Sequence, residues 1–427
     1  MKNRQRVKET MDARTRVRMS MEHEEPDRVP AFESTFTNNA LMRYHGLKVG
    51  DANLTIFKIL PYIPFVNRLL KWGLRKPKIV ALGVEDMFKL YRRAKLDLCP
   101  TASALFPQKM IKGGFIDEFG RKMKMERYEK DGTLIMGYYG GTFKDFNDYE
   151  STEQPDPFDE SRLAMFRGAK KFEERMNGEV CQIPFTTGMM EVTWEGFGIE
   201  NFSRLLAKRR KIKKVFDDRG KFAVEVVKRL GEEGAEFIGV YDDYGYKADL
   251  FMAPRNYRKY VIPWLKRICD AAHKHDAKLM LHSDGNLMKI MDDIVEAGVD
   301  ALNPIEPTTA NPDYNIFNLK ELYGDRLTFA GNISPQMLST GSIEDIEAYS
   351  KRLLTEVAKG GGYIFSSGHS INPAVTPDRW QAVLDTREKY GYYKKEISSK
   401  QILEALYIGH QRVRVSFRDF IAIPILT

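Results

Sequence analysis

With 427 residues, 43% hydrophobic and 30% charged, the chain has ordinary globular composition and room for one large α/β domain with insertions, or for two domains. No run approaches the roughly 20 uncharged apolar residues of a membrane span, and the N-terminal MKNRQRVKETMDARTRVRMS is too polar for a secretory signal, so a cytoplasmic protein is expected. The formal charge of +8 is dispersed over short basic runs (68–78, 207–214) without a nucleic-acid module, and the three cysteines, Cys99, Cys181 and Cys269, form no C-x-x-C pair, which argues against nucleic-acid binding, a disulfide framework and thiolate metal chemistry.

In chain order, residues 1–27 suit an N-terminal helical arm and RVPAFES (28–34) a first strand. Residues 54–80 are apolar, basic and broken by prolines; a helical lid on the mouth of the domain is expected, and a partner-docking or membrane-surface helix has the same composition. Another strand falls between 100 and 145, where the alternating stretch 119–140 carries Asp131-Gly132, a turn signal, so 118–145 reads as an inserted β-hairpin. From 179 onward, strand-like runs at 179–185, 236–243, 278–284, 299–305, 326–333 and 362–368 alternate with helical segments such as 257–275 and 343–360. About eight strands in this alternation predict an α/β fold, a single (β/α)8 TIM-barrel domain over 1–427. The tail, 395–427, is amphipathic and is expected to pack on the body or on a second subunit.

In such a barrel the C-terminal strand ends open onto one face, and polar residues there are candidate site residues. They are Glu191, Asp242, Asp243, His282, Asp284, Asn303, Glu306, Asn332 and His369. In AKLMLHSDGN (277–286), His282 and Asp284 are two apart and leave the strand on one face. Asp284 also has the type and position of a helix N-cap. Of the seven histidines, His282 and His369 fall at strand ends, whereas His23, His45, His273, His275 and His410 suit surface positions. Residues 186–198 bring Met189, Met190 and Trp194 towards the rim, and YDDYGYK adds Tyr241, Tyr244 and Tyr246. These side chains line apolar pockets and equally pack cores. Asp242 and Asp243 offer a general acid or a substrate-orienting carboxylate, and spacing leaves open which one faces the cavity.

From DRVP (27–30) to DTREKYG (385–391) the chain resembles the uroporphyrinogen decarboxylase superfamily, which also contains the cobamide-dependent methyltransferases. The motifs that carry the resemblance are YDDYGYKADLFMAPRNYRKYVIPWLKRI (241–268), LHSDGN (281–286), EAGVDALNPIEP (296–307), YGDRLTFAGNI (323–333) and GGGYIFSSGHSI (360–371). It implies a (β/α)8 barrel, commonly paired into a homodimer. The decarboxylases grip a porphyrinogen's many carboxylates with an M-R-Q-A-G-R-Y type segment; here AFESTFTNNALMRYHG (31–46) holds the single arginine Arg43, which disfavours that substrate. His369, in GHSI where the decarboxylases read G-H-G, keeps a decarboxylase of a smaller acid as the alternative.

The branch that methylates thiols holds zinc through H-x-C-G and a later cysteine. His282 matches the first ligand, while Asp284 and His369 stand where the cysteines would be. Two histidines and a carboxylate make a harder site, suited to an oxygen-bearing substrate. The resemblance therefore implies a methyltransferase that takes a methyl group from an O-methyl substrate, a methoxylated aromatic, and passes it to the Co(I) of a cobamide on a separate corrinoid protein, since the chain has no D-x-H-x-x-G motif. On this reading His282, Asp284 and His369 hold zinc or a similar divalent metal, and Asp243, Asp242 and Glu191 are catalytic. Met189, Trp194, Tyr241, Tyr244, Asn303, Glu306 and Asn332 would bind substrate. The same side chains can bind a hydroxylated or anionic substrate directly, without metal, and a non-catalytic ligand-binding barrel is the third reading.

Overall fold

The computed structural model describes residues 10–50, 54–103 and 107–393; the tail expected over 395–427 and the first nine residues of the arm lie outside them. The main sheet has seven parallel strands: β1 (Leu98–Ala102), β6 (Cys181–Thr187), β7 (Phe237–Tyr241), β8 (Lys278–His282), β9 (Ala301–Asn303), β10 (Thr328–Ile333) and β11 (Tyr363–Ser367), neighbours in that order. The sheet curls until its two edges share one segment. Ala31 bridges in parallel to Phe365 of β11, and Phe32 to Leu98 of β1. The fold is α/β and TIM-like.

Side-chain parity explains the layers. Leu279 and Leu281 of β8 face the surrounding helices, whereas Met280, between them, points inward. Met280 joins Phe32, Leu98, Ile183, Phe185, Phe237 and the small Ala301 and Ala330 in an inner core, large side chains set against small ones. His282 has the parity of Met280, so it faces the interior at the strand's end.

One end of this interior is plugged. The helix Ala13–Met21, begun by Asp12 accepting from Thr15 N at 2.7 Å, inserts Ala13, Val17 and Met21 into the inner core. Its buried Arg16 pairs with Asp27 and Asp97, each at 2.7 Å, and Arg28 meets Asp97 at 2.8 Å. Chemistry is left to the opposite end, where the strands' C-termini open.

Between β1 and β6 the chain builds a separate antiparallel sheet, β2 (Pro107–Ile111), β3 (Gly114–Asp117), β4 (Arg121–Arg127) and β5 (Leu134–Gly141). The insertion is thus a four-stranded sheet beginning at Pro107, larger than the hairpin read over 118–145. Its β4–β5 turn is held by Asp131 Oδ1, which accepts from Thr133 N at 2.9 Å. Ahead of it, short helices at Thr55–Ile59, Val66–Leu74 and Pro77–Val80 attach to the β2–β3 turn through Gly113 N to Phe57 O (3.2 Å) and to β2 through Asn67 Nδ2 to Gln108 O (3.1 Å). They leave many apolar side chains in solvent. No helix of the described residues is long and apolar enough to cross a membrane.

Candidate functional site

At the open end, His282 is buried and its Nδ1 lies 2.6 Å from Asn303 Oδ1. The other half of that amide decides the tautomer. Asn303 Nδ2 donates to the Ala330 carbonyl at 2.8 Å, a group that can only accept, so Oδ1 faces the imidazole and Nδ1 carries the hydrogen. Nε2 keeps its lone pair. Burial lowers the His282 pKa to about 4, opposed by the Asn303 hydrogen bond.

Beside it stand Asp243 and Asp284. A ligand atom from each of Asp243, His282 and Asp284 lies within 4.8 Å of the others. Asp243 Oδ1 accepts from Asp284 N at 2.9 Å. Burial raises both carboxyl pKa values; Glu191 and Asp284 push Asp243 further up, while His369 draws Asp284 down. Asp284 Oδ1 is buried with no hydrogen-bond partner, and so is the hydroxyl of Tyr314, which feels the charges of Asp284 and Glu306. Gly285 makes the turn possible. It has φ +89°, and a Cβ there would stand 2.3 Å from the Gly245 carbonyl carbon, so the loop after β7 folds directly over it.

The structure divides the two neighbouring aspartates. Asp242 is fully buried, and its Oδ1 accepts from Met190 N (2.7 Å) and Glu191 N (2.9 Å), capping the helix Met190–Phe197 from a different strand. Burial lifts its pKa to about 6. Asp243 is the one that joins His282 and Asp284. Asp284, in turn, caps no helix: Asn286 Oδ1 accepts from Met288 N at 3.2 Å in that place.

His369 stands apart from the tightest cluster. Its side chain is 52% exposed, with Nε2 3.5 Å from Asp284 Oδ2 and its ring 6.4 Å from that of His282. The donor atoms drawn together are therefore those of His282, Asp284 and Asp243, rather than the expected His282, Asp284 and His369. The loop after β7 delivers Asp243 to Asp284 N, while His369 is left on the solvent side.

Several expected substrate contacts are occupied inside the fold. Met189 and Tyr244 are fully buried, and Tyr244 lies beside Asp242. Asn303 orients His282, and Asn332 uses its amide on Ile305 O (2.9 Å) and Tyr349 OH (2.8 Å). Tyr241 does border the site, stacked on Phe185 at 4.2 Å and T-shaped to the ring of His282 at 5.0 Å. Trp194 stacks on Phe251 (4.9 Å) and meets Tyr138 edge-on. Glu306 accepts from the Thr308 hydroxyl.

Three groups escaped the reading of the sequence. Arg121, from β4, is buried and pairs with Asp117 (2.7 Å), Glu195 (2.9 Å) and Glu191 (3.3 Å). Glu191 is nonetheless raised, by burial first and then by the Glu195 charge. Tyr314 comes from a loop without periodicity. Glu33, at the end of segment 28–34, is buried against Ser367; its Oε1 accepts from Ser367 N at 3.0 Å, and the Ser367 hydroxyl contacts both Glu33 Oε2 and the His369 carbonyl. A hydroxyl has one hydrogen and a carbonyl can only accept, so Glu33 supplies the other and is a neutral acid. Burial, raising its pKa to about 8, agrees.

The profile of the uroporphyrinogen decarboxylase (URO-D) family matches residues 118–390. Curated relatives named uroporphyrinogen decarboxylase include those of Thioalkalivibrio sulfidiphilus, 27% identical over 37% of this chain and 43% of its own length, and of Schizosaccharomyces pombe, 25% identical over 51% and 62%. That of Colwellia psychrerythraea is 25% identical over 54% and 65%. The chain thus spans less than two thirds of these relatives. A solved structure described as a methyltransferase from Methanosarcina mazei superposes with TM-score 0.62 at 19% identity, covering 89% of this chain and 99% of that one, a likeness of fold.

Proposed function

The chain belongs to the uroporphyrinogen decarboxylase (URO-D) family, and from that premise we propose that it is a methyltransferase. It would take a methyl group from an O-methyl donor, a methoxylated aromatic, and deliver it to the Co(I) corrinoid of a partner protein. The observation that carries the reading is the donor set: a ring nitrogen of His282 with carboxylate oxygens of Asp243 and Asp284, within 4.8 Å of one another. These are hard ligands, and the unpartnered Oδ1 of Asp284 is one a cation would satisfy. When bound there, zinc or a similar divalent ion would polarise the ether oxygen and stabilise the departing phenoxide. The protein's own groups do the rest. Asn303 fixes the His282 ring, Tyr241 and the Trp194–Phe251 stack supply an aromatic wall, and the Tyr314 hydroxyl is available to donate to a substrate oxygen. Glu191, kept protonated towards neutral pH by burial, is an acid on the same side.

The site is acidic, which opposes a porphyrinogen with its many carboxylates: the buried Arg121 is already committed to Asp117, Glu191 and Glu195. In the same reading residues 28–34 are the eighth strand of a (β/α)8 barrel. A second reading, decarboxylation of a small acid, is supported by the names of the curated relatives and by the raised carboxyl of Glu191. One experiment separates them. Elemental analysis of the purified protein and its His282→Ala variant should find about one divalent ion per chain, lost in the variant. Methoxylated aromatics should then be demethylated only when a reduced corrinoid protein is present. Carbon dioxide release from a carboxylated substrate with no corrinoid would establish the second reading instead.

A further inference from the structure

Nine of the sixteen exposed large hydrophobic side chains of the described residues lie in one segment, 56–82, among them Ile59, Tyr62, Phe65, Leu69, Trp72 and Leu82. Over 54–84 the sequence has six Lys or Arg and no Asp or Glu. The segment is firmly mounted. Val66 and Ala81 are buried, Phe57 O and Asn67 hold it to the β2–β3 turn and to β2, and Arg75 clasps Asp159. A Cβ on Gly168 would come within 2.4 Å of Pro77 O, so the helix Ser161–Arg175 lies directly beneath it. The apolar side chains face away from these anchors. Phe65, 80% exposed, follows Pro64 with φ +60°, a left-handed backbone that a bulky residue adopts uncommonly, and it stands at the tip with Tyr62, 77% exposed.

We propose that this face docks the protein on an anionic lipid surface. Aromatic and aliphatic side chains enter the headgroup boundary while the exposed Lys58, Lys76 and Lys78 reach the phosphates, and the segment itself contributes no carboxylate. A second copy of the chain would set cations against cations. Residues 394–427, which carry six Lys or Arg against three Asp or Glu, have the same sign and do not complement it. A protein partner's docking site ordinarily depletes Lys and sets its apolar core inside a polar rim, whereas here lysines are interleaved with the apolar side chains. The proposal is independent of the reaction at the site.

The test is sedimentation of the full chain with vesicles of phosphatidylcholine alone or mixed equally with phosphatidylglycerol. Binding to the mixed vesicles should exceed binding to the neutral ones by about tenfold or more and weaken with salt. Phe65→Ser with Leu69→Ser, and separately Lys58→Gln with Lys76→Gln and Lys78→Gln, should each lower it by about tenfold or more. Trp72 is the one exposed tryptophan of four, so its emission should shift to the blue on binding and be quenched by brominated lipid, in the unaltered protein and without reliance on the variants' folding. No binding to anionic vesicles, equal binding by both variants, or no quenching would overturn the proposal. So would a vesicle-independent dimer, or a complex with an acidic protein, that Phe65→Ser with Leu69→Ser abolishes while vesicles stay unbound.

Discussion

Asn303 holds the Nδ1 hydrogen of His282 with its carbonyl oxygen while its amide nitrogen is anchored to Ala330 O, so one side chain on β9 decides which nitrogen on β8 stays free. Asn303→Leu removes that acceptor and should weaken binding of a divalent cation by about 10–100-fold, as loss of such orienting groups does. Asn303→Asp keeps the acceptor but sets an oxygen against the Ala330 carbonyl, and should fall between. Competition with a fluorescent zinc chelator measures all three proteins; equal affinities would remove Asn303 from this role.

Asp242 and Asp243 should separate cleanly. Asp242→Ala strands the N–H groups of Met190 and Glu191 and should cost about 1–3 kcal/mol of stability. Asp243→Asn retains the oxygen that accepts from Asp284 N, so its melting temperature should hold while cation affinity falls. Melting curves beside metal titrations check the pair, and the opposite pattern would reverse the assignment.

Glu33 makes a prediction about pH. Its pKa is about 8 in the folded chain against 4.5 for an ordinary glutamate, so between those values the folded state holds a proton that the unfolded chain has released. Its contribution is complete below 4.5 and is lost as pH rises through about 8. Glu33→Gln, whose amide can donate to Ser367 Oγ as the acid does, should flatten that decline by an amount on the order of a few kcal/mol. Urea titrations across the range measure it, and parallel curves for the two proteins would mean Glu33 is ionised.

Arg121→Leu should destabilise strongly, by about 3–5 kcal/mol, because Asp117, Glu191 and Glu195 lose a shared buried cation. Adding Glu195→Leu should recover part of the loss. A double variant no more stable than the single one would show that Glu195 is not the group left stranded.

The sequence made the strands legible because parity is a local property: AKLMLHSD is a short apolar run ending in polar residues, and the i, i+2 spacing put His282 and Asp284 on one face at the strand's end. Glu33, at the end of RVPAFES, shares the parity of Ala31 and not that of the inward-facing Phe32, so the same rule gave no signal for it. What the sequence did not disclose depends on other elements. Whether Asp242 or Asp243 joins His282 and Asp284 is decided by the helix Met190–Phe197, which needs a cap from across the sheet. Asp284 looked like a cap because of its position, yet Asn286, two residues on, takes that place. Arg121 and Tyr314 reach the site from an inserted sheet and an aperiodic loop, neither of which carries a local signal of its destination. In 54–80 the composition was visible, but only the fold reveals which side chains are left without cover.

The bridge at Ala31 joins a segment made early in synthesis, itself bridged to β1 at Phe32, to β11, made near the end of the described chain. Until Phe365 has left the ribosome, the segment at Ala31 has an unpaired edge, and the seam between it and β11 stays open. The buried pairing of Arg16 and Arg28 with Asp97 ties the early segment to β1 in the meantime. During translation, this ionic clasp would hold the sheet's first seam in register while the chain waits for its last strand.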